Sequence, residues 1–307
     1  MNKKDDRQKI SLIEIINMFP TDEAAEKWFI SNRWGDDVTC PCCKSHNVTE
    51  RKTKRRSWRC RDCRKDFSTK TATLMQGSNL GFRIWAIAIY LLTTNLKGVA
   101  STKLASDLNV TQKTAWHLAM RIRETYNDNK DKLSGIVEVD ECYIGGKEAN
   151  RHMKGRVKGV KEKSVVLGAV SREEKKIKGF KVKDAKANTL FEKIIDNIEE
   201  DSRVITDEHK SYYWLQCAYQ HESVNHSKGE YLKDEDTHTN SIESFWSLLK
   251  RGYYGTHHFM SSKHLAKYIN EFAGRHNVRK LDTIEQLANV AKSMIGKQLK
   301  YKDLVNG

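Results

Sequence analysis

The sequence predicts an α/β fold, a mixed sheet flanked by helices, with a cysteine-rich ribbon and a helical segment in front of it. Three observations predict it. Four of the seven cysteines form two Cys-x2-Cys pairs with sixteen residues between them. Residues 79–126 carry apolar side chains at helical spacing, and from residue 135 short β-branched runs alternate with a helical stretch. A chain of 307 residues has length for about two domains. Its longest uninterrupted apolar run, Ile84 to Leu92, is nine residues. A membrane-spanning helix needs about 20, so no membrane partner is expected. The opening MNKKDDRQK lacks the apolar stretch of a secretory signal, so a cytoplasmic location is expected.

Taken in order, Ile10 to Phe29 reads as two short amphipathic helices broken at Phe19-Pro20-Thr21. Thr21 would cap the second, with Asp22, Glu23 and Glu26 biasing its first turns. Cys40, Cys43, Cys60 and Cys63 follow. Without an export signal, thiols at this spacing read as a metal site before disulfides. Two thiolate pairs complete a tetrahedral zinc site with no open position, so the Zn2+ would be structural. The intervening HNVTERKTKRRSWR alternates as a small hairpin, and Cys42 is left out of the ligand set. Asn79 to Thr93 predicts a buried helix. In residues 98–126 a short helix through Leu104 and Leu108 meets a turn at Asn109-Val110, and Thr111 caps a longer helix. Ala115, Leu118, Ala119, Ile122 and Tyr126 share one face of it, which leaves Gln112, Lys113, His117, Arg121 and Arg123 for solvent or DNA. That is the layout of a helix-turn-helix. A structural helical hairpin has the same pattern.

From residue 135 the texture is strand-rich. Ile136 to Asp140, Ser164 to Ser171 and Ile177 to Val182 read as strands, Leu190 to Ile198 as an amphipathic helix, and Arg203 to Asp207 as a further strand. This order, with a helix later, fits a ribonuclease H-like core. The expected organisation is N-terminal helices and ribbon over 1–75, a helix-turn-helix-like segment over 76–130, the sheet domain over 131–280 and a helical tail over 281–307.

Three acids stand out within this frame. Asp140 ends the first strand, Asp207 ends the strand after the helix, and Glu243 lies on a helix read from Ser241 onward. Carboxylates so placed can hold two Mg2+ or Mn2+ ions for phosphoryl transfer. Lys250, seven residues after Glu243, falls on the same helix face and can grip a DNA phosphate. Asn240 is an alternative third ligand. Glu141 and Glu208 neighbour the chosen acids, and adjacent strand side chains point to opposite faces. Trp214 and Trp246 read as core side chains, Cys142 and Cys217 as small buried hydrophobes. His209, His257 and His258 stay open between site contact and packing.

VEVDECYIGGK, VITDEHKSYY and HTNSIESFWSLLKRGYYGTHHFMSSKHLAKYINEF, behind CPCC…WRCRDCRKDFS, resemble the bacterial insertion-sequence transposases with an N-terminal zinc ribbon and an ISXO-like DDE catalytic domain. The resemblance runs from about Phe19 to about Asn277. It implies a DNA transposase that binds the ends of its insertion sequence, cleaves to give 3′-OH ends and joins them to target DNA by two-metal phosphoryl transfer. Asp140, Asp207 and Glu243 match the family's catalytic acids and Lys250 its following basic residue. Members vary at the third acid, which keeps Asn240 beside Glu243. Lys44 departs from the family, which usually has Gly after the second knuckle cysteine. Double-stranded DNA, as transposon ends and target, would be the partner, in the nucleoid, with a dimer or higher homo-oligomer on the DNA. A metal-dependent endonuclease on the same fold, or a zinc-ribbon DNA-binding regulator without enzymatic activity, would share many of these features.

The net charge of +15 points to a polyanion, either nucleic acid or an acidic membrane surface. It sits in two strips of net +8 each: residues 51–70, with ten Lys/Arg and two acids, and residues 147–181, with twelve and four. Neither strip reads as a basic amphipathic helix, which favours DNA over a membrane.

Overall fold

In a computed structural model of the chain, residues 7–51, 57–127, 131–146, 163–224 and 238–306 are described. They belong to two compact units: Met1–Asn95 with Val99–Tyr126 and Val278–Gly307, and Leu96–Gly98 with Asn127–Asn277. Residues 52–56 and 147–162, which carry much of the two basic strips, lie outside the described residues. Among the described residues no helix is long and apolar enough to cross a membrane.

The first unit opens with α1 (Leu12–Met18), closed at its start by a reciprocal Ser11–Glu14 capping box, and α2 (Asp22–Trp34), capped by the Thr21 hydroxyl as its sequence predicts. The ribbon follows as an antiparallel sheet of β1 (Val48–Glu50), β2 (Ser57–Cys60) and β3 (Asp66–Ser68). The third strand was not foreseen, because three residues are too few to show a period. Buried α3 (Phe82–Thr94) leads to α4 (Ser101–Leu108) and α5 (Gln112–Arg123). Asn109 makes the turn between α4 and α5 in the left-handed region, which its short polar side chain tolerates, and Thr111 caps α5. Phe19, Trp85, Ile89, Leu104, Leu118 and Leu287 share one core, so the C-terminal helix Thr283–Ser293 is integral to this unit.

One expectation is overturned here. Arg121 and Arg123 do not face solvent: they are 9% and 2% exposed. The Arg121 Nε donates to the Leu299 carbonyl at 3.2 Å. Periodicity divides a helix into an apolar and a polar face, and it cannot show a tail 178 residues away that covers the polar one.

The second unit is built on a five-stranded sheet. Its strands are β4 (Ile136–Ile144), β5 (Ser164–Ser171), β6 (Lys176–Val182), β7 (Arg203–Asp207) and β8 (Gln220–Val224), in the order β6-β5-β4-β7-β8. β4, β5 and β6 run antiparallel in turn, whereas β7 pairs parallel with β4, and β8 parallel with β7. Among the described residues the helices are α6 (Ala187–Asn197), α7 (Asn240–Gly252) and α8 (Leu265–Val278). Leu190 and Ile194 of α6 pack with Val137, Val139, Leu167 and Val204. By strand alternation Glu138, Asp140 and Cys142 point to the other face, where α7 lies.

β4 does not end at Asp140 but continues to Ile144, because β5 pairs with it as far as Ile144–Ser164. Asp140 is therefore mid-strand. β8 was missed because Gln-His-Glu-Ser carries no apolar alternation, which an edge strand does not require. Between β7 and β8 a 3-10 stretch, Lys210–Cys217, buries Tyr212 and Leu215 and exposes Trp214 (57%) and Cys217, so neither of these is core. Trp246 and Cys142 are buried as expected.

Gly168 of β5 lies opposite Asp140, and it is the absence of a side chain there that lets α7 approach. A Cβ at this position would stand 2.6 Å from the Trp246 ring and 2.7 Å from Ile242 Cδ1. Gly168→Ala is expected to destabilise the chain by about 1–3 kcal/mol through overpacking. Denaturant unfolding checks this, and an unchanged midpoint would show that α7 is not seated on β5.

Candidate functional site

The ribbon cysteines converge as their spacing predicts. Cys40 and Cys63 Sγ are 3.6 Å apart, and Cys43 and Cys60 Sγ 3.5 Å apart. Among the described residues these four are the group of three or more potential ligands whose donor atoms all lie within 4.8 Å of one another. A tetrahedron of Zn–S bonds of about 2.3 Å has sulfurs roughly 3.8 Å apart, so the site fits zinc without rearrangement. Each knuckle turns through a residue at positive φ, Lys44 (63°) and Arg64 (59°). Lys44 thus takes the conformation glycine would take, and the turn closes with Lys44 N donating to Cys40 O at 2.9 Å. The backbone N–H of Cys63 and the neighbouring thiols pull Cys60 down to about 7. Against the backbone N–H of Lys65, burial and the crowding thiols push Cys63 up to about 12. Four thiols this close cannot all ionise without a cation between them. Behind them Trp58, Phe67 and Trp34 form the ribbon's own small core. Cys42 stands outside the set, beside the Lys65 ammonium at 3.0 Å.

Asp140 and Asp207 are brought together by strand register. Glu138 pairs with Ile205, and two residues further along the same parallel strands lie Asp140 and Asp207, on the α7 face. Burial, then Glu141, then Asp207 push the Asp140 carboxyl up to about 7. Its Oδ2 accepts from Trp246 Nε1 of α7 at 2.9 Å and its Oδ1 from the Glu141 N–H at 2.8 Å. Glu141 looks to the opposite face, where its carboxylate accepts from the Tyr212 hydroxyl. Asp207 Oδ1 accepts from the His209 N–H at 3.0 Å, and His209 caps the 3-10 stretch that follows.

Glu243 lies one turn before Trp246, exposed, with its Oε1 accepting from Thr239 Oγ1 at 3.2 Å. It does not join the two aspartates in a group with all donor atoms within 4.8 Å. α7 begins at Asn240, so Asn240, Glu243 and Lys250 share a side of the helix, while Ile242, Phe245, Trp246 and Leu249 are buried. The Lys250 ammonium lies near the Cys142 thiol, which burial pushes up to about 11 despite that cation. Lys250 is thus next to a thiol two residues from Asp140 on the same strand face. Two hard carboxylates, one of them raised by burial and like charge, are a donor set suited to a divalent cation.

Three residues that the sequence reading missed complete this face. Glu138 is fully buried, and its Oε2 accepts from the N–H groups of Ser241 (2.8 Å) and Ile242 (3.0 Å) at the start of α7. Its Oε1 accepts from Arg172 Nε at 2.7 Å. Arg172 Nη2 in turn contacts the His238 carbonyl at 2.6 Å and its Nδ1 at 2.9 Å. Arg172, counted above in a basic strip, is therefore an internal counter-ion. The available signal was an acid at an inward position of a β-rich run, two residues before Asp140.

In the first unit Lys113, His117 and Arg121 line one cavity of about 400 Å3 with Ser78, Asn79 and Tyr301. Lys113 Nζ stands 4.7 Å over the Tyr301 ring. Burial and the Arg121 charge hold His117 below the usual imidazole range. His257 packs edge-on against Tyr268, ring centroids 5.0 Å apart, and His258 occupies a left-handed turn.

Comparison with known proteins agrees with this division. Residues 20–66 match the transposase zinc-ribbon domain, and residues 132–277 match the ISXO2-like transposase domain. A Halobacterium salinarum protein described as an uncharacterized protein in transposable element ISH50 is 27% identical over 302 residues, 91% of this chain and 99% of that one.

Proposed function

This chain belongs to the ISXO2-like transposase family, and on that premise we propose that it is a DNA transposase that binds the ends of its insertion sequence, cleaves them to 3′-OH ends and joins those ends to target DNA. The observation that carries the reading is the Asp140–Asp207 pair on adjacent parallel strands, beneath a helix bearing Glu243. An antiparallel trio of strands extended by two parallel ones supports a ribonuclease H-like core.

Asp140 and Asp207 would hold the catalytic cations, with Glu243, or Asn240 beside it on the first turn of α7, as the third ligand. The chemistry that Mg2+ or Mn2+ would supply there is Lewis-acid stabilisation of the attacking and leaving oxygens. The chain's own groups prepare that site. Trp246 fixes one Asp140 oxygen, and Tyr212 holds Glu141 on the opposite face. Lys250 offers a point charge for a DNA phosphate close to Asp140. The helix-turn-helix and ribbon recognise the element end, with Lys113 as an exposed cation of α5. Joining two ends calls for at least a dimer on DNA.

The test supplies, in separate reactions, an intact element end and a pre-cleaved end carrying a 3′-OH, each with a supercoiled target and Mg2+. The joined product is expected. Cleavage of intact ends with no joining would favour an endonuclease, and DNA binding with neither reaction a regulator.

A further inference from the structure

Helix α7 lacks a cap of its own. Its N-cap residue, Thr239, makes no capping hydrogen bond to the helix, and its hydroxyl bonds Glu243 instead. The first-turn N–H groups of Ser241 and Ile242 are satisfied by Glu138, a carboxylate from the middle of the sheet. We infer that Glu138, paired with Arg172, is a positioning residue that fixes the first turn of α7, and Glu243 with it, over the strand that carries Asp140.

The geometry gives this link its rigidity. Glu138 and Asp140 are two residues apart on one strand and point to the same face. Glu138 grips α7 at Ser241 and Ile242, immediately before Glu243, and Asp140 grips it at Trp246, three residues after. Glu243 is thus held between two anchor points on the same strand. Arg172 has two functions in this arrangement. Its Nε neutralises a carboxylate with no solvent exposure, and its Nη2 ties down the His238 carbonyl just ahead of the helix. A buried carboxylate with hydrogen bonds to an arginine and two backbone N–H groups has its lone pairs directed, so its placement is fixed to a degree that an exposed cap would not reach. Partners that orient metal ligands commonly change metal affinity by about 10–100-fold when removed.

The inference rests on the reading of Glu243 as a metal-holding acid, so the experiment includes Glu243→Gln. Mn2+ binding to the full chain is measured by the electron paramagnetic resonance signal of free Mn2+, with zinc content and thermal midpoint recorded for each variant. Glu138→Gln keeps the shape but cannot accept from the arginine and the two N–H groups at once. It is expected to bind Mn2+ about 10–100-fold more weakly while retaining its zinc, and to lose hydrogen-exchange protection at Ser241 and Ile242. Wild-type Mn2+ affinity in Glu138→Gln, with Glu243→Gln weakened, would overturn the positioning role alone. Wild-type affinity in Glu243→Gln would overturn the underlying reading and the inference with it. Should Glu138→Gln not fold, Arg172→Lys keeps the charge and removes the fork to His238. Weakened Mn2+ binding with zinc retained then supports the link, and unchanged binding overturns it.

Discussion

Replacing Cys60 by Ser is expected to remove the one ribbon zinc from each chain, and the folded ribbon with it. Cys60 ends β2, pairs with Val48 of β1 and supplies one of the four sulfurs. The ribbon is too small to stand on its apolar contacts: Trp58 and Phe67 are its large buried side chains, with Trp34 half-covering them. In such modules the metal supplies the folding energy, with apparent binding of about 10–16 kcal/mol in zinc-finger peptides. Losing one thiolate removes a large part of that. Elemental analysis should fall from one zinc per chain to near zero, and the fluorescence of Trp34 and Trp58 should shift toward that of exposed indole. Unchanged metal content would show that the four sulfurs do not form the site.

Asp140→Asn should have an opposite pair of effects, more stability without metal and less response to it. In the folded chain burial, Glu141 and Asp207 raise the Asp140 carboxyl from 3.8 to about 7. Below pH 4 the group is protonated whether the chain is folded or unfolded, and it has no effect on stability. Between about pH 4 and 7 the unfolded chain ionises first, so folding is progressively penalised, and above pH 7 the penalty is complete. A shift of that size would correspond to about 4 kcal/mol, reduced here by partial solvent access and because the Asn amide can accept from only one of the two donors, Trp246 Nε1 and the Glu141 N–H, that Asp140 serves. A gain on the order of 1–3 kcal/mol is expected for metal-free Asp140→Asn at pH 8, a rise of several degrees in midpoint. That gain should vanish toward pH 4. Added Mg2+ should raise the wild-type midpoint and leave the variant's unchanged, because only a ligand bound to the folded state shifts it. A variant less stable than wild type at pH 8 would contradict the upward shift of the Asp140 carboxyl.

Features that depend on local chemistry were legible in the sequence. The thiol spacing, the Thr21 and Thr111 caps and the β4-to-β7 order needed only nearby residues and simple periods. Asp140 and Asp207 were legible as acids near strand ends, although Asp140 proved to be mid-strand, because extra strand residues do not alter the alternation that aims it. What failed was contact at long range. The Arg172 partner of Glu138 is 34 residues away and its helix contact at Ser241 is 103 away, and no period links them. Arg121 has the composition of a DNA contact but is covered from residue 299. Trp214 and Cys217 were assigned by residue type to a core that Tyr212 and Leu215 fill instead.

The catalytic assignment of the paired strand acids is tested most directly by single-turnover end cleavage and joining with Asp207→Asn in Mg2+. Asn is isosteric and can still accept from the His209 N–H, so the β7 end and its turn are retained. Metal-held oxygens contribute several kcal/mol to a phosphoryl-transfer barrier, and each 1.4 kcal/mol is a factor of ten. The predicted result is a loss of about 10^3-fold or more in both steps, with DNA binding and zinc content at wild-type levels. Cleavage and joining within a few-fold of wild type would contradict it.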